Sequence, residues 1–281
     1  MSRTSVMTRL VLAGLVLAVS PLPGLAADSA AAAPKLSAGE IVDRNIAARG
    51  GLAAWRAVKT LSWSGKMDAG GGNRPPIPGI PGQARPAQTT AKQPAPQMQL
   101  PFVMEMERGR KSRLEIEFKG ETAVQVYDGT QGWKLRPFLN RHEVENFTAD
   151  ELKIAEVQAD LDGALMDYAA KGTKVEAEGS EAVDGKLAYR LKLTLKNGHV
   201  LHEWVDAKSF LEVKVEGTPR KLDGKPHPVS IYLSDYKKVD GLVMPHLIET
   251  RVEGVNQKEK ILIEKVVVNP PLDPSRFARP T

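Results

Sequence analysis

Leu187, Tyr189, Leu191, Leu193 and Leu195 recur at every second position, while Lys186, Arg190, Lys192, Thr194 and Lys196 fall on the alternate ones. Successive side chains of a strand point to opposite faces, so this run makes one apolar and one wet face, which helical periodicity cannot do. Asn197-Gly198 ends it with a dipeptide suited to a tight hairpin turn. The same period governs the chain from Phe102 onward, where Leu114, Ile116 and Phe118 alternate with Arg113, Glu115, Glu117 and Lys119. Asp128-Gly129 marks a turn before a strand opened by Trp133 and Leu135. Further strands are expected at 200–205, 211–215, 229–236, 242–252 and 259–267, with turns at Asp206, Asp223-Gly224 and Asp240-Gly241. Short turns between consecutive strands predict an antiparallel sheet, and about ten twisted strands tend to curl. A curled sheet has a hollow apolar face that something must cover.

Helical signals are few. Ser37 and Glu40 form a capping box ahead of Ile41, Val42 and Ile46, and Gly50-Gly51 stops that helix. A short second piece from Leu52 to Val58 carries Trp55, and a strand at 61–67 carries Trp63. A second capping box, Thr148 to Glu151, opens a central helical segment with Leu152, Ala155, Ala159 and Leu161 at helical intervals. Gly163 interrupts it before Leu165, Met166 and Tyr168. An N-terminal and a central helical segment are therefore what the chain offers to cover its sheet.

Arg3 and Arg9, the apolar run from Leu10 to Val19, the breakers Pro21, Pro23 and Gly24, and the small Ala26 and Ala27 have the layout of a signal peptide. Residues 1–27 are read as a cleaved leader and 28–281 as one mature domain. The apolar run is about half of the ~20 residues that span a bilayer, so a membrane-spanning chain is not expected. The chain has no Cys, which excludes a thiol nucleophile, a disulfide and lipidation at a leader cysteine, and fits a bacterial periplasm. Lys and Arg number 39 against 34 Asp and Glu; two bases leave with the leader, so the net charge falls from +5 to +3. No basic patch with interleaved aromatics accompanies it, and no nucleic-acid partner is expected. Residues 70–99, crowded with Pro, Gly, Gln and Ala, read as a flexible insertion between two strands that cannot bury enough apolar surface to order itself.

Catalytic signatures are missing: the chain has no G-x-S-x-G elbow, phosphate loop, dinucleotide fingerprint or H-E-x-x-H helix. His199 and His202 are three apart and point to opposite faces of a strand, while His142, His227 and His246 are isolated, so neither metal nor cofactor is expected. Glu203 beside Trp204, and the Glu115/Glu117 pair, read as the wet face of strands. A non-enzymatic protein is the expectation. The aromatic residues lie in expected helices and strands, where they either pack a core or line a ligand cavity.

The order of these segments carries a resemblance. GGL-x-A-W-x-x-V-K-T-L (Gly50 to Leu61), GRKSRLEIEFKG (109–120), YDGTQGW (127–133), G-x-LAYRLKLTLKNG (185–198), VDGLVMP (239–245) and the closing VVVNPPLDPSRFARP (266–280) together resemble periplasmic proteins of the LolA/LolB-like group of outer-membrane lipoprotein-sorting proteins. The resemblance implies a mainly β fold, an incomplete antiparallel barrel whose hollow is closed by helices. It also implies a role in carrying acyl chains of lipoproteins or related lipids, with inner- and outer-membrane transport components as partners. The aromatics and apolar strand faces expected to line such a hollow are Trp55, Trp63, Phe102, Leu114, Ile116, Phe118, Trp133, Leu191, Leu193 and Trp204, and the resemblance suggests Arg113 as candidate polar anchor. The same fold also serves periplasmic modules that bind proteins and sense envelope stress, so a non-catalytic binding module is the alternative.

Overall fold

The strands do form a single antiparallel sheet. The computed structural model describes residues 35–69, 98–222 and 224–281. The first meander is β1 (Thr60–Ala69), β2 (Met98–Glu107), β3 (Lys111–Phe118), β4 (Glu121–Tyr127), β5 (Gly132–Arg136) and β6 (Arg141–Asn146). The second is β7 (Lys174–Val183), β8 (Lys186–Thr194), β9 (Val200–Asp206), β10 (Glu212–Leu222), β11 (Lys225–Val239), β12 (Leu242–Val252) and β13 (Glu259–Val268). They run in the order β6-β5-β4-β3-β2-β1-β13-β12-β11-β10-β9-β8-β7, so the two meanders meet where β1 pairs with β13. The edges β6 and β7 do not pair, which leaves an open, curled sheet and not a closed barrel.

The capping boxes mark real helix starts at α1 (Ala38–Ala48) and α3 (Ala149–Gln158), with α2 (Leu52–Arg56) between them in sequence. Helical spacing carried the expectation past Gln158, but residues 159–173 are turns and irregular chain. Their apolar spacing reports burial instead: Leu161, Leu165 and Met166 are almost wholly enclosed, and positive φ at Gly163 and Asp167 bends the chain between and after them. The strands β6 and β7 were not foreseen. Both are polar edge strands, exposed along much of their length, and among the β7 side chains Val175 and Val183 reach the core clusters, so little apolar alternation marks them in the sequence. Met98 and Gln99 belong to β2 and not to the insertion; the rest of that insertion and the leader lie outside the described residues. Among the described residues no helix is long and apolar enough to cross a membrane.

The pairing register defines two faces. Leu191 lies opposite Glu203, Glu203 opposite Val215, Val215 opposite Ile231 and Ile231 opposite Thr250, all on what we term the inner face. Helix α1 lays Ile41 and Val42 on Leu191, Leu193, Leu201 and Val205. Trp55 of α2 and Val58 cover Leu61, Met106, Leu242 and Met244, and Leu161 and Met166 close the same cluster. Ala155 and Ala159, at the end of α3, cover Tyr127. Each fully buried Leu, Ile or Trp side chain contributes roughly 1.5–3 kcal/mol through loss of hydrated apolar surface, so these contacts fix the helices on the inner face. The outer face has smaller clusters, Val124 and Val126 under Phe277 and Ala188 beside Trp204.

Candidate functional site

The helices cover only part of the inner face. Trp63 of β1 lies opposite Met104, which lies opposite Leu114. One step along, Gly65 lies opposite Ile263 on one side and Phe102 on the other, and Phe102 opposite Ile116. A further step brings Ile248, Ile261, Met67 and Leu100 into line. Phe102, Ile116 and Ile263 are buried among these sheet neighbours, while Trp63, Met67, Leu100, Met104, Leu114, Ile248 and Ile261 are only partly covered. Among the described residues, the hydrophobic side chains clustered on Phe102, Ile116 and Ile263 all belong to strands, while Trp63 and Met104, at one end of the strip, also border the cluster that Trp55, Leu161 and Met166 close. Five adjacent strands thus present a continuous apolar surface beside the helix-covered core.

Two polar groups are set into it. The Trp63 indole N–H is buried and has no hydrogen-bond partner among the described residues. His246, 4% exposed, alternates with Met244 and Ile248 on β12, and its Nδ1 lies 3.1 Å from the Met244 carbonyl.

A charged cluster anchors the helical cover. Arg49, at the end of α1, donates through Nη1 to Glu212 Oε1 and to the Asp162 carbonyl, both at 3.1 Å, and lies over the Trp55 ring. Arg108 donates to Asp162 Oδ2 at 2.7 Å and to the Trp55 carbonyl, and Lys171 bonds Asp160, Asp162 and the Gly163 carbonyl. Burial alone would raise the Asp162 carboxyl, but bonds from Lys171 and Arg108 hold it below the ordinary value. Glu203 is different. Burial, with Glu212 adding repulsion, pushes its carboxyl up to about 8 against the pull of Arg49 and Lys171. Tyr236 donates its hydroxyl to the Glu212 carbonyl at 2.8 Å, and burial raises it well above the ordinary tyrosine value. Reading Glu203 as a wet-face residue is therefore corrected: it is Trp204 that faces outward, under Lys214, while Glu203 turns beneath α1.

The residues suggested for a cavity separate into three groups. Trp63, Phe102, Leu114 and Ile116 come together on the open strip, and Phe118 continues their face with its ring edge-on to Phe138. Trp55, Leu191 and Leu193 lie beneath or within the helical cover. Trp133, Trp204 and Arg113 are on the outer face. Period two separates two faces but does not say which face of one strand continues which face of the next; the register does, and it aligns Trp133 with Val126 and Val126 with Arg113. Arg113 bonds Glu115 and the Arg276 carbonyl, holding the C-terminal segment instead of facing the hollow. His202 also lies outside, between Glu216 and Glu178. No group of three His, Cys, Asp or Glu suited to a metal ion occurs among the described residues. Of the strip residues that sequence reading missed, Met67 alternates with the polar Lys66 and Asp68, whereas Met104, Ile248, Ile261 and Ile263 each adjoin an apolar Val103, Leu247 or Leu262, so alternation alone does not mark their face.

This architecture has parallels among solved structures. A DUF1329 family protein from Desulfovibrio piger aligns over 85% of this chain and 96% of its own, at 12% identity and a TM-score of 0.53. A LolA superfamily protein from Nitrosomonas europaea aligns over 87% of this chain and 98% of its own, at 13% identity and a TM-score of 0.51. The chain has the LolA-like fold. No protein-family model matches it, and no curated protein does. At such identities the likeness concerns the fold alone. In this chain α1 covers β8 and β9, Trp55 and Val58 cover Leu61, Met106, Leu242 and Met244 on β1, β2 and β12, and the apolar strip lies farther along β12, β13 and β1–β3.

Proposed function

We propose that the chain is a periplasmic, non-enzymatic carrier that takes acyl chains of lipoproteins or related lipids onto the open strip for transfer towards the outer membrane. The observation that carries this reading is the apolar strip around Phe102, Ile116 and Ile263, whose hydrophobic cluster holds no helix residue among the described ones, beside a core that helices close. Five strands spaced ~4.8 Å apart span roughly 20 Å, enough for an acyl chain that fills one leaflet, about half of a ~30 Å hydrocarbon core. Each methylene withdrawn from water contributes ~0.8 kcal/mol, and a carrier must use part of that gain yet still release its cargo. An open strip does so, since one side of the chain stays accessible to a receiving partner. The LolA name of one fold relative agrees with the reading, as does the leader of residues 1–27.

Tryptophan fluorescence during titration with an acylated peptide, below its micelle concentration, tests the proposal. Saturable binding is expected, lost in Leu114→Glu and retained in Glu117→Gln on the opposite face of the same strand. No binding by the unaltered protein, with capture of an envelope protein instead, would favour the protein-binding module.

A further inference from the structure

We infer that the ligand is held by a carbonyl as well as by its chain, and that the Trp63 indole N–H is the donor that recognises it; this rests on the carrier reading. Buried polar groups in native proteins are nearly always hydrogen-bonded, because an unmet buried donor costs free energy that water would otherwise supply. The two most deeply buried tryptophans obey this rule. Trp55 donates to the Arg49 carbonyl at 3.0 Å, and Trp204 to Glu181 Oε1 at 2.5 Å. Trp63 does not: its Nε1 is shut away from solvent with no acceptor among the described residues. It stands within the strip, opposite Met104 and four residues before Met67 on the same strand. A bare hydrocarbon would satisfy the apolar side chains there and leave the N–H unmet, whereas an ester or amide carbonyl at the head of an acyl chain satisfies both. Methionines are unbranched and adaptable, so Met67 and Met104 can shift to let an oxygen reach the nitrogen. Because the donor stands among apolar side chains, a neutral carbonyl reaches it at a smaller desolvation cost than a charged headgroup would.

The test compares two probes of equal chain length and headgroup: a palmitoyl lysophosphatidylcholine and its alkyl-ether analogue, which lacks the carbonyl. Both are titrated below their micelle concentrations by calorimetry. The unaltered protein is expected to bind the acyl probe about five-fold more tightly, the scale of one net hydrogen bond. Trp63→Phe, which keeps a ring and removes the N–H, should bind both probes with the affinity that the unaltered protein shows for the ether. Equal affinity of the unaltered protein for the two probes overturns the inference without needing any variant, and leaves the carrier reading standing. A preference that survives in Trp63→Phe, or an equal loss of both probes, also overturns it, since Trp63 then only shapes the strip. Failure of the unaltered protein to bind either probe removes the carrier reading and this inference with it.

Discussion

Glu203 shows how far a single residue can depart from its local pattern. A Glu-Trp pair in an alternating strand puts one member on each face, and ordinary hydropathy assigns the tryptophan inward. Here Trp204 faces outward, sealed by Lys214 and by its bond to Glu181, and the carboxylate faces in. The assignment depends on the pairing of β8 with β9, which only the fold supplies. The pH consequence has a definite sign. A carboxyl whose value rises from 4.5 unfolded to about 8 folded contributes its stability in full below 4.5 and loses it as pH rises through 8. The span is on the order of 5 kcal/mol. Glu203→Gln is expected to equal the unaltered protein in urea unfolding at pH 4.5 and exceed it by several kcal/mol at pH 8.5. An unchanged pH slope in the variant would show that Glu203 does not titrate as its surroundings imply.

At the scale of elements, the helix starts were legible because a capping box is local chemistry: Ser37 with Glu40, and Thr148 with Glu151. What holds α1 down was not legible, since Arg49 and Glu212 are 163 positions apart and neither belongs to a motif. Arg49→Met should destabilise the fold by about 3–5 kcal/mol, because it leaves Glu212 buried without its cation. Adding Glu212→Gln to that variant should recover much of the loss, an outcome a double-mutant cycle reads directly. The turn after α1 is equally specific. Gly50 has φ 110° and approaches Gly241 so closely that an added Cβ would lie 2.3 Å from its carbonyl oxygen. Gly50→Ala is therefore expected to lower the melting temperature, whereas Gly39→Ala, with open space around it, should raise it slightly through helix propensity.

For the whole molecule, period two and the turn dipeptides were enough to predict a curled antiparallel sheet with helices on one face. They could not place the seam between β1 and β13, which joins residues some 200 positions apart, nor divide the inner face into covered and open parts. That division is what the carrier reading rests on. Two expectations drawn from the sequence concern residues outside the described ones. Intact mass of the protein recovered from a periplasmic extract should show loss of the first 26 or 27 residues, and a retained N-terminus in a cytoplasmic fraction would rule out the leader. Replacing residues 70–97 with a short Gly/Ser linker should leave thermal unfolding nearly unchanged, whereas loss of cooperativity would show that the segment packs on the sheet. The most direct measurement of the central claim is native mass spectrometry of the protein purified from the cell envelope without detergent. The account predicts one bound acyl-bearing lipid per chain, absent from Leu114→Glu; a bare chain mass, persisting after incubation with a lysophospholipid below its micelle concentration, would contradict it.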